Sequence, residues 1–257
     1  MNLGVLNKLK SKVDEQGCVY YELPLGENHF ELNNLLGKKV SLEHTGKIQC
    51  TSCSRKIKKT YQGGYCYPCV ISLPETDLCM VKPENCHFHL GTCRNSEWGK
   101  EHCFIDHTVY LANSSGMKVG ITRSYRKINR WIDQGAVQAI PILQTKDRLH
   151  AGLVEVFLKK NIADKTNWRK MLQGKQEDVD LLSNKKTLIE SLKENFKDVE
   201  TVEDRVWNFS YPVLCYPEKI VSLNFSKTKL IEGIITGIKG QYLIFEHGVL
   251  NIRKFSG

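Results

Sequence analysis

Two pairs of cysteines, each separated by two residues, constrain this sequence more than any other feature. Cys50 and Cys53 form the first pair, and Cys66 and Cys69 form the second pair twelve residues later. One such pair can hold one side of a tetrahedral zinc ion at about 2.3 Å, and a second pair completes the tetrahedron. Two pairs at this separation are typical of a zinc ribbon, so these four cysteines are predicted to bind a structural Zn²⁺ ion.

The ten cysteines of the chain are interpreted as metal ligands or free thiols, because the protein is predicted to be cytoplasmic and thiols stay reduced there. The first residues contain neither the apolar stretch nor the small-residue cleavage site of a signal peptide. No apolar run reaches the ~18 residues of a membrane span, so no membrane association is expected. Cys18 and Cys215 have no obvious partner and are interpreted as ordinary thiols.

Four further cysteines, within a segment of 25 residues, predict a second structural zinc site. They are Cys79, Cys86, Cys93 and Cys103. Their spacing is wider than in a ribbon, and four neighbouring histidines could each replace one of them, so the ligand set stays open. These histidines are His87, His89, His102 and His107. His107 is also a candidate active-site residue. The plainest alternative for this segment is two buried thiols beside surface residues.

The charge balance favours a polyanionic partner. The chain has 37 basic and 28 acidic residues, which gives a net charge of +9. Two tetrathiolate zinc sites would add eight thiolates and two dications, −8 + 4 = −4, and would leave +5. Such a balance favours nucleic acid, DNA or RNA. A basic run from Arg55 to Lys59 is followed by Tyr61, Tyr65 and Tyr67, which fits either base stacking with phosphate binding or a solvated loop.

The segment from His107 to Arg130 is predicted to form a β-hairpin that leads into a basic helix. Apolar strands at 109–112 and 117–122 flank the turn-forming residues 113–116. Strand alternation puts Tyr110, Lys118 and Gly120 on one face, with Tyr110 opposite Lys118. The apolar positions of the other face are Val109, Leu111, Val119 and Ile121.

These residues resemble the GIY-YIG endonuclease pattern, over roughly residues 105–165. In that pattern two short strands carry a tyrosine and a Tyr-Ile-Gly sequence, a following helix supplies an arginine, and a later helix supplies a metal-binding glutamate. The matching residues here are Tyr110, Lys118-Val119-Gly120, Arg130 and Glu155. Lys118 stands where the pattern has its second tyrosine. A wider set of segments, CHFHLGTCR among them, resembles an uncharacterised bacterial domain family of unknown function.

The resemblance implies a metal-dependent endonuclease, that is, a phosphodiesterase. Tyr110 would activate the attacking water or relay its proton, Arg130 would neutralise charge on the phosphate, and Glu155 would bind Mg²⁺ or Mn²⁺. Lys118 would clamp a phosphate. Glu155 also stands out from its own surroundings, because a carboxylate in an apolar helix is costly unless it is paired or metal-bound. The alternative is a glutamate paired with a cation such as Arg130.

Nucleic-acid contacts are predicted for the basic residues around the start of the helix. They are Arg123, Arg126, Lys127 and Arg130. An equally physical interpretation is a catalytically inactive scaffold of the same kind, which binds RNA or DNA without cleaving it. A module that binds another protein is a third possibility.

The predicted fold class is α+β, with four regions. They are a β-rich region with the zinc ribbon (1–75), a second zinc site with a GIY-YIG-like small sheet flanked by helices (76–175), a helical linker (176–205) and a small β-barrel (206–257). N-terminal strands could complete this barrel. Helices are predicted at 124–134, 148–160, 164–172 and 185–198. A third strand of the central sheet, at 137–144, is predicted near an edge because it contains Pro141.

Overall fold

The chain folds into four antiparallel β-sheets and six α-helices, within residues 2–162, 165–196 and 200–257, which this computed structural model describes. The α+β class predicted from the sequence is confirmed at this level. The helices are α1 (Tyr67–Ser72), α2 (Ser96–His102), α3 (Lys127–Asp133), α4 (Arg148–Leu158), α5 (Trp168–Leu172) and α6 (Leu181–Asn195). The strands are β1 (Lys10–Val13), β2 (Val19–Leu25), β3 (Asn28–Glu31), β4 (Lys39–Glu43), β5 (Ile48–Gln49), β6 (Lys56–Ile57), β7 (His107–Asn113), β8 (Met117–Arg123), β9 (Gln138–Thr145), β10 (Glu200–Thr201), β11 (Trp207–Asn208), β12 (Leu230–Lys239), β13 (Tyr242–Phe245) and β14 (Gly248–Asn251).

The central sheet has the strand order β10-β9-β7-β8, and β11 also pairs with β9. Every residue of β7 is buried, so this strand is covered on both faces. On one face, Val109, Leu111 and Val119 form a core with helix α4. The alternation predicted that these residues share a core face but not which element covers it. On the other face, Tyr110 and Ala112 pack into a second core around Trp131 of α3.

The register of the β7–β8 hairpin differs from the predicted one by two residues. Tyr110 lies opposite Gly120, and Lys118 lies opposite Ala112. The predicted pairing of Tyr110 with Lys118 is therefore wrong. The physical reason is the turn: Asn113 continues β7 and pairs with Met117, so the loop is the three residues 114–116.

Strand β9 is an interior strand, so its predicted position near the edge of the sheet is wrong. It pairs with β7 on one side and with β10 and β11 on the other. Pro141 lies between the stretches that β10 and β11 cover, and the β7–β9 register shifts beside it. A proline cannot donate a ladder hydrogen bond, so a gap of this kind accommodates it inside a sheet.

The helices follow local capping signals. Asp147 caps α4 by accepting a hydrogen bond from the backbone N–H of His150 at 2.9 Å, as predicted. Helix α6 begins four residues before its predicted start because Asp180 caps it. Helix α5 begins at Trp168, after the cap residue Asn167. The predicted ends at 164 and 198 fall outside the described residues.

The C-terminal strands do not close into the predicted barrel. Strand β12 pairs with β13 and also with β4 from the N-terminal region, which gives an open sheet of order β14-β13-β12-β4. A separate sheet of order β1-β2-β3 lies nearby, and side chains from both sheets join the core around Trp131. Within the described residues the small barrel is therefore replaced by two open sheets and a shared core.

Candidate functional site

The first two cysteine pairs are brought together by a short hairpin and a helix N-terminus. Cys50 directly follows β5, and Cys53 lies in the turn before β6. Cys66 is the residue before α1, and Cys69 is in the first turn of that helix. The four sulfur atoms all lie within 4.8 Å of one another.

The approach of the two pairs depends on Gly64. Its backbone φ is +119°, and a Cβ atom placed there would lie 2.5 Å from Cγ2 of Thr51. The backbone N–H of Thr51 donates to the carbonyl of Gly64 at 2.9 Å, so the two loops are hydrogen-bonded directly. A larger residue would separate the loops, and only glycine adopts this φ without strain.

The geometry of the four thiols fits a zinc ion. Zinc–sulfur bonds of about 2.3 Å in a tetrahedron imply sulfur–sulfur distances of about 3.8 Å. Cys53 Sγ and Cys66 Sγ are 3.7 Å apart. The four cysteines predicted as the ribbon ligands could therefore hold a Zn²⁺ ion as they stand.

Backbone hydrogen bonds also lower the pKa of one of the four thiols, that of Cys50, which favours the thiolate that binds metal. Burial alone disfavours the Cys50 thiolate, but the backbone N–H groups of Cys53, Cys66 and Ser52 lower the pKa of Cys50 to about 6. One of these bonds runs from the N–H of Cys66 to Cys50 Sγ at 3.2 Å. The hydrogen bond with Cys66 is the main reason that the pKa of Cys69 rises to about 12. At neutral pH the cluster thus has one thiolate ready and releases further protons when metal binds.

The second group of cysteines surrounds one cavity, although its four sulfur atoms are not gathered within 4.8 Å of one another as those of the ribbon are. Cys79, Cys86, Cys93 and Cys103 all line one small cavity of about 20 Å³. The segment around it consists of short 3-10 turns and helix α2. Among the described residues, a tighter group that lines the same cavity combines Asp77, Cys79 and His87, whose ligand atoms lie within 4.8 Å of one another.

Two arginines connect this cysteine-rich segment to the central sheet. Arg148, at the start of α4, donates from its backbone N–H to the carbonyl of Cys103 at 2.9 Å and from Nη2 to the carbonyl of Met80 at 2.7 Å. Arg123, at the end of β8, donates to the carbonyl of His102 at 2.9 Å. Burial lowers the pKa of Arg148, and the thiol of Cys103 opposes that effect.

Helix α4 lies directly against the cysteine-rich segment at Gly152. A Cβ atom at that position would lie 2.7 Å from Cβ of Pro83 and 2.8 Å from the backbone nitrogen of Glu84. Since Glu155 is one turn further along the same helix, the position of Glu155 depends on this contact.

Tyr110 is buried, and its hydroxyl donates to Gln134 Oε1 at 3.1 Å. Its ring crosses Gly120, where an added Cβ atom would lie 2.6 Å from the hydroxyl oxygen. Burial raises the pKa of the phenol and Glu155 adds to this rise, whereas Arg130 and Gln134 oppose it. Arg130 and Glu155 therefore each lie within electrostatic range of the Tyr110 hydroxyl, and the phenol stays protonated at neutral pH.

The remaining two residues of the resemblance are also covered. Lys118 is 4% exposed, and its Nζ donates to Thr166 Oγ1 at 3.2 Å. Glu155 is 8% exposed and forms an ion pair with Lys159, with Nζ and Oε2 3.1 Å apart. The sequence suggested a cation such as Arg130 as the partner of a paired glutamate, and Lys159 is such a cation, four residues further along the chain.

The basic residues after the hairpin divide into two groups. Arg123 is half-buried and lies over the Trp98 ring, 5.7 Å from its centroid. Arg126 and Arg130 are exposed and Lys127 is half-exposed. Tyr125 precedes them with 71% of its surface exposed.

His107, a candidate metal ligand and active-site residue, lies inside the protein. It is fully buried, and its Nδ1 lies 2.7 Å from the carbonyl oxygen of Ile105. Burial lowers the pKa of His107 to about 4, so the ring is neutral. It does not line the cavity that the four cysteines share.

Sequence reasoning missed three partners that define this region. Gln134 bonds the Tyr110 hydroxyl, Thr166 bonds Lys118, and Arg148 joins α4 to the cysteine-rich segment. The capping motif before Arg148 can be read from the sequence. The three hydrogen bonds cannot, because each joins residues more than 20 positions apart in the chain.

The fold and the first cysteine cluster define a mixed α+β protein with a site able to hold zinc. Residues 37–257 match a family described as a protein of unknown function (DUF2797), and this chain belongs to that family. No curated protein and no solved structure matches the chain significantly. Among the described residues, no helix has both the length and the apolar character needed to cross a bilayer.

Proposed function

We propose that this protein binds nucleic acid through the surface formed by Tyr125, Arg126, Lys127 and Arg130, here called the basic face. The observation that carries the proposal is the 71% exposure of Tyr125 beside exposed arginines. Arginine and lysine neutralise phosphates, and an exposed aromatic ring stacks on a base. An exposed tyrosine among cations suits a single-stranded or unpaired segment better than a protein partner.

We further propose a GIY-YIG-like scaffold that binds without catalysis. The order of hairpin, basic helix and later helix with Glu155 supports the scaffold. Burial supports the absence of chemistry: Tyr110 is 0% exposed, and Lys118 and Glu155 are nearly as covered. A phosphodiester cannot reach a phenol enclosed in this way, and a phenol with a raised pKa is a poor base.

Reversing the charge of the basic face tests the binding. The variant Arg126→Glu/Lys127→Glu/Arg130→Glu is expected to lose at least a hundredfold in affinity for single-stranded RNA or DNA at low salt. The slope of log affinity against log salt should fall in magnitude by about two, since each of the three phosphate contacts contributes about 0.7 on single strands. Filter binding over a salt series measures both quantities.

The matched control is Lys186→Glu/Lys193→Glu/Lys227→Glu, which makes the same charge change at exposed lysines elsewhere. Equal losses in the two variants would mean that only net charge matters, and the basic face would have no special role. A flat salt response of the unaltered protein would remove nucleic acid as the partner.

A second candidate function is metal-dependent phosphodiester hydrolysis. The observation in its favour is that Arg130 and Glu155 both lie within electrostatic range of the Tyr110 hydroxyl. Glu155 would supply one oxygen ligand to Mg²⁺ or Mn²⁺, and substrate and water would supply the rest. Lys118 and Tyr110 would contact the phosphate only if the surrounding side chains moved aside.

Incubating the zinc-loaded protein with mixed RNA and DNA, with and without Mg²⁺ or Mn²⁺, separates the two candidates. We expect binding without cleavage. If cleavage occurs, Glu155→Gln should abolish it while leaving the affinity within twofold. Metal-dependent cleavage that Glu155→Gln removes would overturn the non-catalytic proposal, and cleavage that it leaves intact would exclude Glu155 as the metal ligand.

We also propose that a second structural Zn²⁺ ion is bound by Cys79, Cys86, Cys93 and Cys103. The shared cavity of about 20 Å³ supports this, since such a volume holds about one water-sized sphere. A tetrathiolate zinc centre carries a charge of −2, and Arg123 and Arg148 lie near enough to interact with the thiol of Cys103. Asp77 is a weaker candidate ligand because its carboxylate is paired with Arg94 Nε at 2.7 Å.

A further inference from the structure

A large cavity lies between the β1-β2-β3 sheet and the sheet that contains β4. Its volume is about 1080 Å³. Small-molecule sites usually measure about 300–1,000 Å³, so this one is at the upper end. It is separate from the basic face and from both cysteine clusters, although the loop between the ribbon cysteines forms part of its opening.

The walls of the cavity are apolar. Val40 and Leu42 project into it from β4, and Leu35, Phe30, Phe225 and Phe255 line it from neighbouring segments. All six are only half-buried although they pack against the core around Trp131. Protein interiors are normally filled to the density of organic crystals, and side chains that face a void lose dispersion contacts. Walls of this kind are stabilised by an apolar occupant.

The opening of the cavity is strongly basic. Five exposed lysines surround it, together with His44. They are Lys47, Lys56, Lys58, Lys59 and Lys254. Glu43 is the one acidic side chain among the described residues that line the cavity. The side chains of the lining thus carry five positive charges against one negative charge. The net positive charge favours an anionic group at the opening.

We propose that this cavity binds a diacyl lipid whose head group is a phosphate, with its chains between the sheets and its phosphate among the lysines. A methylene group occupies roughly the volume of a liquid water, about 30 Å³, so the cavity holds on the order of 35 such groups. That number corresponds to two long acyl chains. A nucleic acid strand would satisfy the lysines but would leave the aliphatic walls unfilled.

Native mass spectrometry of the full-length zinc-loaded protein tests this proposal with three probes. They are dioleoyl phosphatidic acid, dioleoylglycerol and glycerol 3-phosphate. We expect a one-to-one complex with phosphatidic acid, binding at least tenfold weaker with dioleoylglycerol, and no complex with glycerol 3-phosphate. Equal affinity for the first two would overturn the phosphate assignment, and the absence of a phosphatidic acid complex would overturn the site.

Two variants locate the bound lipid. Val40→Trp/Leu42→Trp fills the cavity and should reduce phosphatidic acid binding at least tenfold. Lys58→Glu/Lys59→Glu alters only exposed side chains at the opening and should reduce binding to a similar extent. Because it leaves the walls unchanged, it still tests the site if the filled variant does not fold. The matched control Lys186→Glu/Lys193→Glu should bind as the unaltered protein does. Undiminished binding in the Lys58/Lys59 variant, or an equal loss in the control, would overturn the proposal.

Discussion

Replacing Cys66 with serine is expected to release the ribbon metal and to unfold residues 48–72. A structural zinc ion contributes about 10–16 kcal/mol to the folding of a small zinc module at neutral pH. Cys66 contacts both cysteines of the first pair: its sulfur lies 3.7 Å from Cys53 Sγ, and its backbone N–H donates to Cys50 Sγ. Serine cannot supply a thiolate, so the loss should approach the whole contribution of the metal.

The ribbon has little else to hold it together. Strands β5 and β6 contain two residues each, and helix α1 contains no buried residue. Burial of apolar surface therefore cannot offset the conformational entropy of ordering this segment. Amide hydrogen exchange should show residues 48–72 exchanging freely in the variant, while β7 and β9 keep their protection.

Metal analysis and exchange together decide this prediction. The control is Cys215→Ser, because Cys215 is an exposed thiol outside both clusters. That variant should keep the zinc content and the exchange pattern of the unaltered protein. A Cys66→Ser protein that retains its zinc and its protected ribbon would contradict the assignment of the four ligands.

The sequence predicted best those features that local chemistry determines. The spacing of the four ribbon cysteines matched the observed cluster, and Asp147 capped its helix as predicted. The alternation of β7 and β8 correctly put Val109 and Leu111 on a shared core face, opposite to that of Tyr110. In each case the determining interaction spans a few residues or depends on a period that can be read from the chain.

Features that depend on distant partners were less accessible. Strand β4 pairs with β12, so that Leu42 lies opposite Ile231, and no local pattern specifies such a pairing. The predicted closed barrel was therefore wrong, although an N-terminal strand does join the C-terminal ones. The predicted position of β9 near the sheet edge was wrong for a similar reason. Pro141 lacks a backbone N–H, but the short neighbouring strands β10 and β11 leave its position unpaired on their side of β9, so no ladder hydrogen bond is lost there.

Alternation explains why Tyr110 shares a face with Gly120 but not why that face is closed. The ring is covered by Trp131 of α3, and Trp131 in turn packs against Trp207 and Phe209 from the C-terminal region. An aromatic residue such as Tyr110 is compatible with either an open or a covered face of a sheet. The local sequence of the strand therefore does not tell whether its second face is buried. The burial that supports binding without catalysis is thus a tertiary property.

Replacing Cys86 or Cys103 with serine is expected to reduce the zinc content from two ions per chain to one. Either substitution removes one of the four thiols that line the cavity of about 20 Å³. The segment from Pro74 to Phe104 has mainly 3-10 turns, which contribute few backbone hydrogen bonds of good geometry. Without its metal this segment should lose protection against hydrogen exchange.

The effect should spread to helix α4, since Arg148 bonds the carbonyls of Cys103 and Met80 and Gly152 packs against Pro83. We therefore expect faster exchange in α4, and a lower melting temperature, in Cys86→Ser and Cys103→Ser.

The matched control Cys18→Ser should keep two zinc ions and the exchange pattern of the unaltered protein. His87→Ala distinguishes the ligand sets: it should also keep two ions if the four thiols bind the metal. Loss of one ion in His87→Ala, with two retained in Cys103→Ser, would instead assign the site to Asp77, Cys79 and His87, whose ligand atoms already lie within 4.8 Å of one another.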